Sequence, residues 1–158
     1  LKPTSRLTSG FFYARKEIMK DLHNNLHVKR AISPVSVADN TAQVSQIIDR
    51  QGFDSLEFFI NIGSVADADA TFTVLVEDGD NSALSDAAAV ADENLLGTEA
   101  LAGFQYDDDN EVRKIGYIGG KRYVRLTITP ANNASAALLS AVAVLGHPAL
   151  TPTVNPPV

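Results

Sequence analysis

Between positions 55 and 62 the apolar residues Leu56, Phe58, Ile60 and Ile62 alternate with Ser55, Glu57, Phe59 and Asn61. A period of two gathers the first set on one face of an extended strand, whereas no helix can bring them to one side. The alternation recurs with Phe72, Val74 and Val76 in residues 71–77, and with Val124, Leu126 and Ile128 in residues 121–129. Helical spacing is scarce, so the chain is expected to be all-β.

About eight strands are expected. Residues 26–37 form one that Pro34 kinks and confines to a sheet edge, and residues 44–49 form a short second one. The runs 55–62 and 71–77 follow, the latter ending at the turn signal Asp78-Gly79-Asp80-Asn81. Residues 87–96 are read as either a helical turn or a β excursion. Residues 112–118 and 121–129 flank Gly119-Gly120 and read as a hairpin, its turn using the positive φ open to glycine. Residues 136–145 form a last strand that is apolar on both faces, with Pro130 to Ala134 as the loop before it. Strands of this number, with Gly, Asp and Asn turns, predict an antiparallel two-sheet sandwich of the jelly-roll kind. The expected domain is 26–147. Residues 1–25 are read as an extended N-terminal arm, and residues 148–158, with four prolines, as an extended tail without sheet hydrogen bonds.

The start of the chain carries a clue about its gene. The only methionine is Met19, preceded by Lys16-Glu17-Ile18, and Lys-Glu codons can read AAGGAG, a ribosome-binding site. Residues 1–18 are therefore expected to be a translated leader or an alternative-start extension.

The charges are segregated. Residues 1–30 hold seven bases against two acids, residues 31–111 hold seventeen acids against Arg50, and residues 112–158 hold five bases unopposed, within a net charge of −6. Either the basic arm and hairpin seek an acidic surface, or the basic strands lie beside acidic loops of their own fold. A pI near 4.9 argues against nucleic acid as a partner. There is no cysteine, which removes disulfides, thiolate nucleophiles and zinc knuckles. No run approaches the roughly 18 apolar residues of a membrane helix, so no membrane association is expected.

The search for chemistry returns little. Nucleophile elbows, Walker loops, dinucleotide fingerprints and zinc-protease motifs are absent from the sequence. His23 and His27 stand four apart without a third ligand, and Asp78, Asp80 and Ser82 begin like a calcium loop that lacks the later glycine and glutamate. Eleven aromatic residues without a tryptophan make a thin stacking platform for sugars. Asn133-Ala134-Ser135 matches a glycosylation acceptor. No catalytic residue, metal or cofactor is assigned, and the chain is not expected to be an enzyme.

The stretch Lys114 to Thr129, KIGYIGGKRYVRLTIT, followed by a strand ending in VLGHP (Val144 to Pro148), resembles small structural proteins encoded beside the major capsid protein of tailed phages. The runs KDLHNNLHVKRAISP (Lys20 to Pro34) and LEFFINIGSV (Leu56 to Val65) are similar to that group too. The resemblance implies a capsid cement, or decoration, protein of the Bordetella-phage type. Such a protein is a jelly roll on the outer surface of the virion capsid, made in the host cytoplasm. It would bind the major capsid protein and itself, as a homodimer or homotrimer, tying neighbouring capsid subunits together. On this reading Lys29, Arg30, Arg113, Lys121, Arg122 and Arg125 meet acidic capsid surface, and Leu139, Ala141, Ala143 and Leu145 of the last strand mediate self-association. Reversing Arg122 and Arg125 is then expected to abolish shell binding without unfolding the domain. A carbohydrate- or receptor-binding sandwich, or a tail or neck component of the same virion, are the alternatives.

Overall fold

The computed structural model describes residues 20–157; the expected leader and most of the expected arm lie outside them. In chain order the strands are β1 (Leu26–Val37), β2 (Gln43–Val44), β3 (Ile48–Asp49), β4 (Phe53–Val65), β5 (Thr71–Gly79), β6 (Ala88–Ala89) and β7 (Leu95–Leu96). The short helix α1 (Glu99–Ala102) precedes β8 (Phe104–Gln105), β9 (Val112–Tyr117), β10 (Tyr123–Ala131) and β11 (Ala137–Pro148). One sheet, A, has the order β1-β11-β4-β9-β7, and the other, B, the order β2-β10-β5-β6, with β3 also on β10 and β8 on β5. All pairings are antiparallel.

With β2 and β3 taken as one interrupted strand, and the short β7 and β8 set aside, the principal strands run first-eighth-third-sixth in sheet A. They run second-seventh-fourth-fifth in sheet B. That is a jelly roll, as the alternating runs imply. The interruption is bridged by Ser45, whose amide donates to Leu126 O at 2.8 Å while its Oγ accepts the Leu126 amide at 2.9 Å. The next amide, Gln46, donates to Ala31 O of β1 at 3.0 Å and joins the edges of the two sheets.

The core lies between the sheets and contains the inward sets read from the sequence. Phe58, Ile60, Val76, Val124, Leu126 and Ile128 are essentially inaccessible. Ala143 and Ala141 of β11 are in register with Phe58 and Ile60 of β4, so small side chains stand beside large ones in the layer, as close packing requires. Residues 87–96 contain both of their expected alternatives, a β6 excursion and a 3₁₀ turn at Asp92–Asn94.

The expected hairpin at Gly119-Gly120 does not form. β9 pairs with β4 and β7 in sheet A, whereas β10 pairs with β5, β2 and β3 in sheet B. The glycines therefore carry a crossover between layers, and neither has a positive φ; Gly52 and Gly97 do. The corner is built around Tyr117. Its ring is buried, and its hydroxyl donates to Asp78 Oδ2 at 2.6 Å and accepts the Lys121 amide at 3.0 Å. Burial, and then the bond to Asp78, push ionisation of this phenol well above its ordinary range. The Arg50 guanidinium lies 5.1 Å over the ring and donates to the carbonyls of Gly119, at 2.6 Å, and Lys121. A Cβ on Gly119 would fall 2.5 Å from the Tyr117 hydroxyl, so close approach, not backbone sign, demands glycine there.

Replacing Tyr117 by Phe leaves the Asp78 carboxylate and the Lys121 amide without their partner, and should cost about 1–3 kcal/mol in urea denaturation. Gly119→Ala should destabilise by a similar amount, about 1–3 kcal/mol, through overpacking, whereas Gly120→Ala, with nothing within 4 Å of its added Cβ, should be milder.

Candidate functional site

Four of the six cations expected to meet a partner are paired within the chain. Arg125, in register with Glu77 across β10 and β5, donates to its Oε2 from Nε at 3.1 Å and Nη2 at 2.8 Å. Arg122 grips Asp49 of β3 through Nε at 2.9 Å and Nη2 at 2.7 Å, with its guanidinium 5.0 Å over the Tyr123 ring. These hydrogen bonds, helped by the nearby Lys29, hold the Asp49 carboxyl below its usual range against the opposing effect of burial. Lys121 pairs with Asp80, and half-buried Arg113 with Asp108 and, at 2.7 Å, Glu111. Among the described residues, Lys29 instead reaches the Asp49 carbonyl, at 3.5 Å, and Arg30 the neutral oxygens of Ser33 and Gln46 at 3.0 and 3.3 Å. The reading of a basic hairpin reaching for an acidic surface thus gives way to internal pairing for Arg113, Lys121, Arg122 and Arg125.

A charge reversal at Arg125 consequently tests the fold. Arg125→Glu sets two carboxylates against each other at a half-buried cross-strand position, so thermal unfolding should begin at lower temperature than in the wild type.

The four residues expected to mediate self-association are also elsewhere. Leu139, Ala141, Ala143 and Leu145 are at most 4% exposed, because odd-numbered positions of β11 point into the sandwich. They are core and offer no surface to a second subunit. Its outward positions are Leu138, Ser140, Val142 and Val144, with Leu138 46% exposed.

Those residues belong to a larger surface. The register places Val28 of β1, Val144 of β11, Glu57 of β4, Gly116 of β9 and Leu96 of β7 in one outward row across sheet A. The next row is Arg30, Val142, Phe59 and Lys114, followed by Ser140, Asn61 and Val112. Val28, Leu96, Val112 and Leu138 are exposed by 42–58%, and Phe59, Val142 and Val144 are half-buried. At one end, Pro34, Ser36, Asn61, Gly63, Leu138 and Ser140 line a shallow trough. Seven apolar side chains on five strands therefore face outward. The outward face of sheet B is more polar: Thr73, Thr127, Thr129 and the Arg125–Glu77 pair lie on it, with Leu75 and, at the β2 edge, Val44 as its apolar members.

Glu57 is the one carboxylate in the outward rows of sheet A. The adjacent Gly116 makes room for it, since a Cβ there would lie 2.5 Å from Oε2 and 3.0 Å from the Leu96 Cβ. Burial raises the Glu57 pKa, with Lys114 acting in the opposite direction. A carboxyl whose folded pKa lies above its unfolded value contributes its stability below the unfolded pKa, near 4.3 as an approximate reference, and loses it as pH rises through the folded value. Glu57→Gln should accordingly raise the urea midpoint at pH 7 and leave it little changed at pH 4.

The remaining motifs resolve into structure. His27 is buried with its ring 5.5 Å from Phe53, and His23 meets Asn155, so their spacing does not converge on a common centre. Among the described residues, no three His, Asp or Glu side chains are grouped to hold a metal ion. The turn after β5 is organised by Asp86, which accepts the amides of Asp80 and Asn81. Asn133 is 2% exposed and donates its amide to Val37 O and Asp39 O at 3.1 Å each, so the glycosylation motif reads as a buried loop anchor.

No family model matches the chain, and no curated protein does. Among solved structures it is similar to the PBSX exported protein XepA, at 14% identity and a TM-score of 0.48, over 81% of this chain and 39% of that one. It is also similar to the xylan-binding module CBM15, at 9% identity and a TM-score of 0.39, over 82% of this chain and 95% of that one. A third is the Clostridium thermocellum xylanase 10B CBM22-1–GH10 structure with xylohexaose, at 10% identity and a TM-score of 0.42, over 84% and 28% of the two chains. Likeness at this level transfers no function.

Proposed function

We propose that the chain is a virion structural protein that cements the outside of an icosahedral phage capsid, docking on the major capsid protein through the outward face of sheet A. The observation that carries this reading is the contrast between the two outward faces. On sheet B the charged side chains Arg125 and Glu77 pair with each other beside threonines, while sheet A presents seven apolar side chains on five strands with Arg30 and Lys114 at its flanks. An extended apolar surface of this kind is suited to burial against another protein, and flanking cations favour an acidic rim on that partner. The sequence resemblance to cement proteins supports the same role. It now rests on a different set of residues: Arg30 remains, Lys114 joins it, and Phe59, Val142 and Val144 supply the apolar centre.

A glycan-binding role would draw on the outward rings, Phe59 of sheet A or Tyr123 of β10. The Arg122 guanidinium already lies over the Tyr123 ring, which leaves it little open surface for a sugar.

Quantitative mass spectrometry of virions containing the wild-type chain should find copies close to one per major capsid subunit. A virion assembled with Val144→Asp should lose them, with circular dichroism confirming that the variant is folded. A handful of copies per particle would move the protein to the tail or neck. Binding on a glycan array that Tyr123→Ala abolishes would move it to carbohydrate recognition.

A further inference from the structure

The tail does not extend away from the domain as its prolines suggest. After β11 the Ala149 amide donates to Gly52 O at 2.8 Å, the chain passes through Leu150, which is 85% exposed, and it then turns back. The Thr153 amide donates to Asn24 O at 3.0 Å, its hydroxyl donates to Leu26 O at 2.7 Å, and the Asn155 amide lies 3.2 Å from His23 Nε2. Val154 and Pro157 close over Leu22, Leu26 and Val28 around a small cavity.

The place where this segment lands is informative. Leu26 is in register with Gly146, and Val28 with Val144, so both are outward positions of sheet A and form one border of its apolar face. Leu22 precedes them and is still 67% exposed with the tail in place. The tail thus covers part of an apolar surface that continues, uncovered, across β11, β4 and β9. Its hold is light: a few hydrogen bonds, no strand pairing, and no residue of 149–157 in the hydrophobic core. Releasing it would remove nothing that the two sheets need, and would add Leu26 and more of Leu22 and Val28 to the exposed face.

We propose that residues 149–157 are an autoinhibitory strap. Docked on β1, they hold down the end of the sheet A face nearest the N-terminal turn; displaced, they lengthen that face and allow the capsid surface to cover it. The inference rests on the capsid-docking reading of that face.

The test uses the full chain with Thr153→Pro, which removes both Thr153 hydrogen bonds without touching the sheets, and Thr153→Val, which removes only the hydroxyl bond. Hydrogen exchange within residues 22–28, read at the Asn25 amide that donates to Leu22 O in the turn Thr153 holds through Asn24 O, should accelerate about tenfold in Thr153→Pro as that turn frays. Thr153→Val should accelerate it less, and amides of β4 and β10 should be unchanged in both. At subsaturating protein, occupancy on emptied capsids should rise several-fold in the order wild type, Thr153→Val, Thr153→Pro. Unchanged exchange in residues 22–28 would show that the tail does not strap β1 and overturn the proposal. Faster exchange with unchanged occupancy, on shells that bind the wild type, would overturn the inhibitory role and leave the docking reading intact. Faster exchange with no shell binding by any of the three proteins would overturn the docking reading and, with it, the inhibition. Faster exchange accompanied by concentration-dependent self-association, and no gain on shells, would assign the uncovered surface to a second copy and overturn the proposed partner.

Discussion

The hydroxyl of Tyr117 sits where the chain leaves one sheet for the other, and its ring is buried in the core between them. A buried phenol must find hydrogen-bond partners, because leaving its hydroxyl unpaired costs the full desolvation of the group. Here the partners come from two other parts of the fold: Asp78 at the end of β5, and the Lys121 amide in the crossover itself. Arg50 adds a third, reaching in from the turn between β3 and β4 to bond the crossover carbonyls. Segments distant in sequence are thus fixed by the requirements of one oxygen and one guanidinium, and the paths of β9 and β10 into opposite sheets follow from the same corner.

That crossing also explains the distribution of charge. A jelly roll sends β10 into the sheet that contains β5 and β3, which belong to the acidic middle of the chain. The basic last third is thereby laid against Glu77, Asp49 and Asp80, and the opposed charge blocks are two halves of one set of cross-strand contacts. Among the described residues, Arg30 and Lys114 carry no salt bridge and flank the outward face of sheet A, whose single carboxylate, Glu57, has its pKa raised by burial.

The strands were legible because alternation is a local property, and each inward set named from residues 55–62, 71–77 and 121–129 is in the core. The jelly-roll class was legible from the number and spacing of those runs. The partner of each strand was not. Two β runs around Gly119-Gly120 look alike whether the second folds back on the first or crosses to the opposite layer, and the pairing of β9 with β4 and of β10 with β5 distinguishes the cases. The candidate site failed for the same reason at two levels. Arg122 and Arg125 look unopposed until β3 and β5 are placed beside them. In β11, apolar on both sides, nothing in Leu138 to Leu145 says which parity faces the core; that is settled by register with Phe58 and Ile60. Phe59, on the polar side of its own alternation, is the sequence signal that the outward face of sheet A is not uniformly polar.

The contact between Thr153 and Asn24 brings the first and last described parts of the domain to one corner. The polypeptide therefore enters and leaves the sandwich at neighbouring points, as an insert does in a host loop. Such a domain can be spliced between two residues of another protein without forcing them apart, and anything joined to either end emerges on the same side.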